Sequence, residues 1–109
     1  MCIRDSLIRW ADSVTAEQHP NADKIFAIPH GDHRNKQVAL KLKEESVRAG
    51  VLDLFFPEAR GGYFGLWIEI EVRPNKPTPD ELARIRQQLE DVYYAAVCYT
   101  ADQAKALLL

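Results

Sequence analysis

Three carboxylates interrupt two short apolar runs of this chain. Asp53 lies within "VLDLFF" (51–56), and Glu69 and Glu71 lie within "FGLWIEIEV" (64–72). A carboxylate is costly to remove from water unless it is paired, hydrogen-bonded or bound to a metal. If the two runs are paired strands, the three acids converge on one edge of a sheet, where Glu69 and Glu71 share a face about 7 Å apart. Such hard oxygen ligands suit Mg²⁺ or Mn²⁺, and a metal held there could activate a water and polarise a phosphate.

The elements that must position these acids can be read from the pattern of apolar residues and caps. We predict helices over about 3–17 and 34–49, a third starting at "TPDE" (78–81) with a Thr cap, and a fourth after Thr100. The apolar stripe of the third helix consists of Leu82, Ile85 and Leu89. We predict strands at "KIFAIP", "VLDLFF", "FGLWIEIEV" and "YYAAVCY". The resulting order, αβαββαβα, indicates an α/β (α+β) domain with a mixed sheet flanked by helices.

Basic residues are concentrated in the second predicted helix. Between His33 and Arg48 the net formal charge is +3, although the whole chain carries -2. Their spacing indicates one positive face, which either binds phosphates or is an ordinary solvated helix face. The residues are Arg34, Lys36, Lys41, Lys43 and Arg48.

Length and composition restrict the class of protein. A chain of 109 residues that is 47% hydrophobic fits a single domain spanning 1–109. Its two cysteines suggest a reducing compartment, with cytoplasm as the default. No apolar run approaches the roughly 20 residues of a membrane span, so no membrane partner is expected.

The stretch from "PHGDHRNKQVALKLKEESVRAGVLDLFF" to "DELARIRQQLE" resembles the VRR-NUC nucleases of the PD-(D/E)XK superfamily, over about 25–104. The resemblance implies a restriction-endonuclease-like fold and Mg²⁺- or Mn²⁺-dependent cleavage of DNA phosphodiesters. Standalone members of this size, often phage-encoded, act as homodimers on branched or junction DNA, which implies a bacterial or phage-infected host cytoplasm. Residues 1–6, "MCIRDS", match nothing in the family and are interpreted as a foreign or truncated lead-in.

Carried over to this chain, the family pattern assigns metal binding to Asp53, Glu69 and the carbonyl of Ile70. It also favours DNA contact for the basic helix. Two departures bear on catalysis: Glu71 stands where the family has its catalytic lysine, and Glu81 replaces a helix glutamine. In place of the lysine, Glu71 can be a base or an extra metal ligand. Arg73 or Lys76 could supply the positive charge that the family's lysine provides. Two hypotheses therefore remain, a structure-specific DNA endonuclease and a catalytically impaired DNA-binding module.

Overall fold

The computed structural model describes residues 2–14, 18–19, 21–28 and 50–109. Three helices lie in these ranges: α1 (Ile3–Ser13), α2 (Pro79–Glu90) and α3 (Ala101–Leu108). The four strands are β1 (Phe26–Ala27), β2 (Leu54–Phe56), β3 (Leu66–Ile70) and β4 (Tyr94–Cys98). A short 3-10 helix (Ala22–Lys24) precedes β1. The predicted basic helix at 34–49, with all five of its proposed DNA-binding residues, lies outside the described residues.

The four strands form one mixed sheet in the order β1-β2-β3-β4. β1, β2 and β3 are antiparallel neighbours, and Leu54 of β2 lies opposite Ile68 of β3. β3 and β4 are parallel, so the chain must cross over between them, and α2 lies on that crossover. The predicted α/β (α+β) class with a mixed sheet and flanking helices is confirmed.

One face of the sheet forms the core with α1 and α3. The strands alternate as predicted, so every second residue points to this face. Leu7 and Ala11 of α1 and Ala104 and Leu108 of α3 pack there and are buried. Their partners on the sheet are Leu54, Phe56, Leu66, Ile68 and Cys98.

The start of α1 includes the segment interpreted as a lead-in. Cys2 is the N-cap residue, and its Sγ accepts a hydrogen bond from the main-chain N–H of Asp5 at 3.3 Å. Residues 3–6 are thus helical, whatever their origin. No helix in the described part of the chain is long and apolar enough to cross a bilayer.

The helix α2 begins as the sequence predicts but packs differently. Thr78 and Glu81 form a reciprocal capping box, with Pro79 in the first helical turn. Of the predicted apolar stripe, Leu82 and Leu89 are exposed, with 52% and 44% accessible, and Ile85 is half-buried. No residue of α2 is fully buried. The half-buried residues of this helix lie along one side, at Glu81, Arg84, Ile85 and Gln88.

Hydrogen bonds from Arg60 join the β2–β3 connection to the end of α3. The Arg60 guanidinium donates to the main-chain oxygen of Leu108 at 2.6 Å and pairs with Glu58 at 2.8 Å. Unpaired carbonyls at a helix C-terminus favour such a cation. These Arg60 interactions hold the end of α3 against the sheet on which the acidic residues lie.

Candidate metal centre

Asp53 is held in place by the end of the neighbouring strand. It lies immediately before β2, and its Oδ2 accepts a hydrogen bond of 2.8 Å from the main-chain N–H of Ile70. The register that pairs Leu54 with Ile68 brings Asp53 beside Glu69. Backbone pairing between β2 and β3 thus determines where this carboxylate lies.

Glu69, Glu71 and Glu81 converge at the same end of the sheet. Each offers one carboxylate oxygen, and these three atoms lie within 4.8 Å of one another. Glu69 is on β3, Glu71 follows it, and Glu81 comes from the first turn of α2. The acidic cluster, meaning Asp53, Glu69, Glu71 and Glu81, is therefore assembled from three separate segments.

The capping box of α2 orients Glu81. Its Oε1 accepts from the main-chain N–H of Thr78 at 2.8 Å, and its own N–H donates to Thr78 Oγ1 at 3.2 Å. Gly50 lets the chain entering β2 approach this helix end closely. Its φ is +79°, and a Cβ there would lie 2.7 Å from the carbonyl oxygen of Asp80. The start of α2 is therefore fixed next to the segment that carries Asp53.

Glu69 is the buried member of the acidic cluster. Only 1% of its surface is accessible, and its Oε2 is fully buried without a hydrogen-bond partner. Burial, followed by hydrogen bonding and charge repulsion from Asp53 and Glu81, raises the pKa of Glu69 to about 12. The pKa of Glu71 is also raised, first by burial and then by repulsion from Glu81 and Asp53. Without a cation Glu69 therefore retains its proton at neutral pH.

The donor set fits a hard divalent cation. All the converging side chains offer carboxylate oxygens, which Mg²⁺ and Mn²⁺ prefer. A buried carboxylate oxygen with no donor is costly unless a cation or a proton neutralises it, and Glu69 Oε2 is such an atom. The residues that would hold the ion are Asp53, Glu69, Glu71 and Glu81.

The other predicted site residues have different outcomes. The N–H of Ile70 binds Asp53, whereas a metal-ligand role for its carbonyl stays a prediction. Arg73 does not enter the acidic cluster: its guanidinium lies over the ring of Tyr99, 4.4 Å from the centroid. Lys76 is exposed on the connection between β3 and α2.

Glu81 was not among the residues predicted to form the site. From the sequence it was interpreted as a capping residue and as a departure from the family's glutamine. Its position in the "TPDE" motif was the available signal, since the family pattern places a polar side chain there. The spacing of apolar residues could not show that the turn at 73–79 places the start of α2, and with it Glu81, beside Glu69.

Comparison with known proteins supports the fold. A solved structure described as "VRR_NUC domain protein" superposes with a TM-score of 0.76 at 28% sequence identity. The match covers 96% of this chain and 80% of the other. The resemblance to the VRR-NUC family is confirmed. No protein-family model and no curated protein matches the chain significantly. The acidic cluster thus lies in a chain with the fold of a VRR-NUC domain.

Proposed function

We propose that this VRR-NUC-like chain is a divalent-metal-dependent nuclease that hydrolyses DNA phosphodiester bonds. The observation that carries the proposal is the unpartnered, buried Oε2 of Glu69 within a cluster of carboxylates. A buried carboxyl group needs either a proton or a cation to neutralise it, and a divalent ion bound at this cluster would replace the proton that Glu69 otherwise retains. The similarity to a VRR_NUC domain protein supports a nuclease as the setting for that cation.

The chain's own residues would perform three tasks in this reaction. Asp53, oriented by the N–H of Ile70, and the buried Glu69 would hold the cation in one place. Glu81, oriented by its capping box, would bind the same cation from the first turn of α2. The bound ion would supply an activated water and a polarised phosphate. Glu71 would be a further carboxylate ligand of the ion, at the position where the family pattern has a lysine.

We also propose that the substrate is branched or junction DNA and that the chain acts as a homodimer. Both rest on the family resemblance, and two symmetric cuts need two sites. The apolar run Leu107, Leu108 and Leu109 offers candidate dimer contacts; Leu108 is buried within the chain and Leu109 is 66% exposed. Leu109 is therefore the better contact candidate, and light scattering at micromolar concentration should give twice the chain mass. A monomeric mass would oppose the dimer.

A second candidate function is a DNA-binding module with impaired catalysis. The observation that favours it is the position of Glu71 in the acidic cluster, where the family pattern has a lysine. Glutamate cannot place a positive charge beside an attacking water. The nearby Arg73 stacks on Tyr99 and does not replace that charge.

A cleavage assay separates the two candidates. Linear, flapped and four-way DNA are incubated with the protein in Mg²⁺, in Mn²⁺ and in chelator. The nuclease proposal expects metal-dependent cleavage that Asp53→Asn abolishes while DNA binding remains. DNA binding by the parent protein without cleavage in either metal would instead support the impaired module.

A further inference from the structure

The outer edge of β4 is open in the described part of the chain. The N–H of Tyr94 and the carbonyl of Cys98 make hydrogen bonds at the two ends of β3. Main-chain groups alternate in direction along a strand, so those of Ala95 and Val97 point away from β3. β4 ends the sheet, and no strand within the described ranges pairs with that side. Two donors and two acceptors of β4 therefore face outward, as on any unpaired edge strand.

The sequence of β4 does not block pairing at this edge. Edge strands are commonly protected by charged side chains or prolines, and "YAAVC" (94–98) contains neither. The residues on either side of this stretch already have hydrogen-bond partners. The N–H of Tyr93 donates to the carbonyl of Gln88 at 2.9 Å, and that of Tyr99 donates to Gln103 Oε1 at 2.6 Å. Only the short stretch between these two tyrosines is left to pair with another strand.

The helix α2 presents exposed leucines on the same side of the molecule. Leu82 and Leu89 are two turns apart, so they share one flank of α2, and both are exposed. Asp80 is on the opposite flank, where its carbonyl lies close to Gly50 and so to the segment that enters β2. The leucine flank therefore faces away from β2, towards the open edge of β4.

We propose that two copies of this chain associate through the open edge of β4 and the leucine flank of α2. β4 pairs antiparallel with its copy about a two-fold axis at Ala96. Ala95 then lies opposite Val97 of the partner subunit, and each of the two such pairs exchanges two hydrogen bonds. The two sheets become one continuous sheet. This inference rests on the proposed homodimer and specifies its interface.

The two copies of α2 fit the same two-fold axis. A crossover helix packs over the strands that it connects, and α2 connects β3 to β4 and contacts β4. Because strands are about 4.8 Å apart, helices centred between β3 and β4 would lie about 9.6 Å from each other across the axis. Packed helices are separated by about 8–10 Å. The two helices run antiparallel, which sets Leu82 against Leu89 of the partner subunit.

This dimer would carry both acidic clusters on one face of its sheet. The two-fold axis is perpendicular to the sheet, so it keeps the two faces distinct, and each cluster includes Glu69 of β3. Three strand spacings, about 14 Å, separate the two copies of β3. One protein surface would thus offer two metal centres to a single DNA molecule.

Cysteine cross-linking tests the strand register. Ala96 lies opposite its own copy in a non-hydrogen-bonded pair, whose Cα atoms are about 4.5 Å apart and so within the range of a disulfide. Cys2→Ser first removes the exposed native thiol. In that background Ala96→Cys should form an inter-chain disulfide when copper phenanthroline oxidises the two thiols. Val97→Cys is the matched control: it lies opposite Ala95 of the partner subunit and should stay unlinked.

A charged substitution tests the helix contact. Leu89→Glu would place a carboxylate in the apolar contact on both sides of the axis. It should raise the dimer dissociation constant by about a hundredfold or more, and light scattering at micromolar concentration should give one chain mass. Leu109→Glu is the matched control, because it changes an exposed leucine that follows α3 on the other face of the sheet. It should keep the dimer, and circular dichroism checks that each variant keeps its helices.

Three results would each overturn this interface: a monomeric parent protein, an Ala96→Cys variant that does not cross-link, or a dimer that Leu109→Glu dissociates and Leu89→Glu does not. Cleavage measured in parallel keeps these outcomes separate from the proposed function. A protein that gives one of these results and still cuts DNA remains a nuclease without this interface. A protein that cross-links through Ala96→Cys and cuts nothing in Mg²⁺ or Mn²⁺ supports the interface and counts against the nuclease.

Discussion

Asp53 Oδ2 accepts the main-chain N–H of Ile70 across the β2–β3 boundary, at 2.8 Å. This bond extends the pairing of the two strands by a side chain, just where β3 ends. It gives Asp53 two separable roles. Its oxygen anchors two strand ends to each other, and its charge contributes to the acidic cluster.

Asparagine and alanine at position 53 should separate these roles. In the parent protein, Mn²⁺ at a hundredfold excess over its Kd should stabilise the fold by about 2.7 kcal/mol, since the ion binds only the folded state. Both variants should lose most of that gain. In chelator, Asp53→Ala should be less stable by about 1–3 kcal/mol because the Ile70 N–H loses its acceptor, while Asp53→Asn should stay near the parent. Urea unfolding measures both, and full Mn²⁺ stabilisation of Asp53→Asn would remove this residue from the metal site.

The raised pKa of Glu69 should make the metal-free protein less stable as pH rises. The pKa is 4.5 in the unfolded chain and about 12 in the fold, so above pH 4.5 the folded state binds a proton that the unfolded state has lost. The free energy of unfolding should therefore fall with pH, by at most about 1.4 kcal/mol per unit from this group. Chemical denaturation at pH 5.5, 6.5 and 7.5 in chelator gives the slope.

Glu69→Gln is the control for that slope, because glutamine cannot titrate and keeps the side-chain shape. It should flatten the pH dependence, and excess Mn²⁺ should reverse the trend in the parent, since the ion binds the ionised carboxylate. Equal slopes for the parent and Glu69→Gln in chelator would show that Glu69 does not carry the proton.

The strand rules that predict β2 and β3 also predict that Asp53 and Glu69 lie together. Side-chain alternation and antiparallel pairing are local properties, so a sequence pattern specifies them. The burial of Glu69 and the arrival of Glu81 depend on where α2 begins after the turn at 73–79, which no periodicity encodes. The stripe of Leu82, Ile85 and Leu89 predicted a buried helix face for the same local reason. Tertiary packing leaves Leu82 and Leu89 exposed and buries Ile85 only in part.

Val92 has a backbone conformation that a β-branched residue rarely adopts. It follows the C-cap residue of α2 with φ at +67°, the position where helices commonly end with glycine. The N–H of the next residue, Tyr93, bonds the carbonyl of Gln88 at 2.9 Å, which is the hydrogen bond expected of this helix end. The hydrogen bonds at the end of α2 therefore impose the positive φ at position 92, a conformation that costs valine free energy.

Val92→Gly should raise the free energy of unfolding by about 0.5–1 kcal/mol, because glycine adopts positive φ without steric cost. Asp91→Gly is the matched control. Asp91 has φ of -88°, so glycine there relieves nothing and should lower stability. Thermal and urea unfolding in chelator measure both changes. Destabilisation by Val92→Gly as large as that by Asp91→Gly would mean that the half-exposed valine contributes more through packing than its backbone strain costs.

Glu71→Lys should increase nuclease activity. The substitution places a cation beside the metal site, where it can stabilise developing charge on the phosphate, and it relieves repulsion with Glu81 and Asp53. We expect cleavage to rise about tenfold at saturating Mg²⁺. This is less than the about 10²–10³-fold effect of an optimised donor, because the surroundings are arranged for an acid. Removal of one anionic ligand should also raise the Mg²⁺ concentration needed for half-maximal rate.

Glu71→Gln distinguishes the effect of the added cation from that of the lost acid. It removes the charge of Glu71 without supplying a positive one, so its rate should lie between those of the parent and Glu71→Lys. Rates across a Mg²⁺ titration, with DNA binding measured separately, make the comparison. If Glu71→Lys folds and binds DNA but cuts more slowly than the parent at every Mg²⁺ concentration, Glu71 is itself a catalytic group, and proton acceptance by this carboxylate becomes its assigned role.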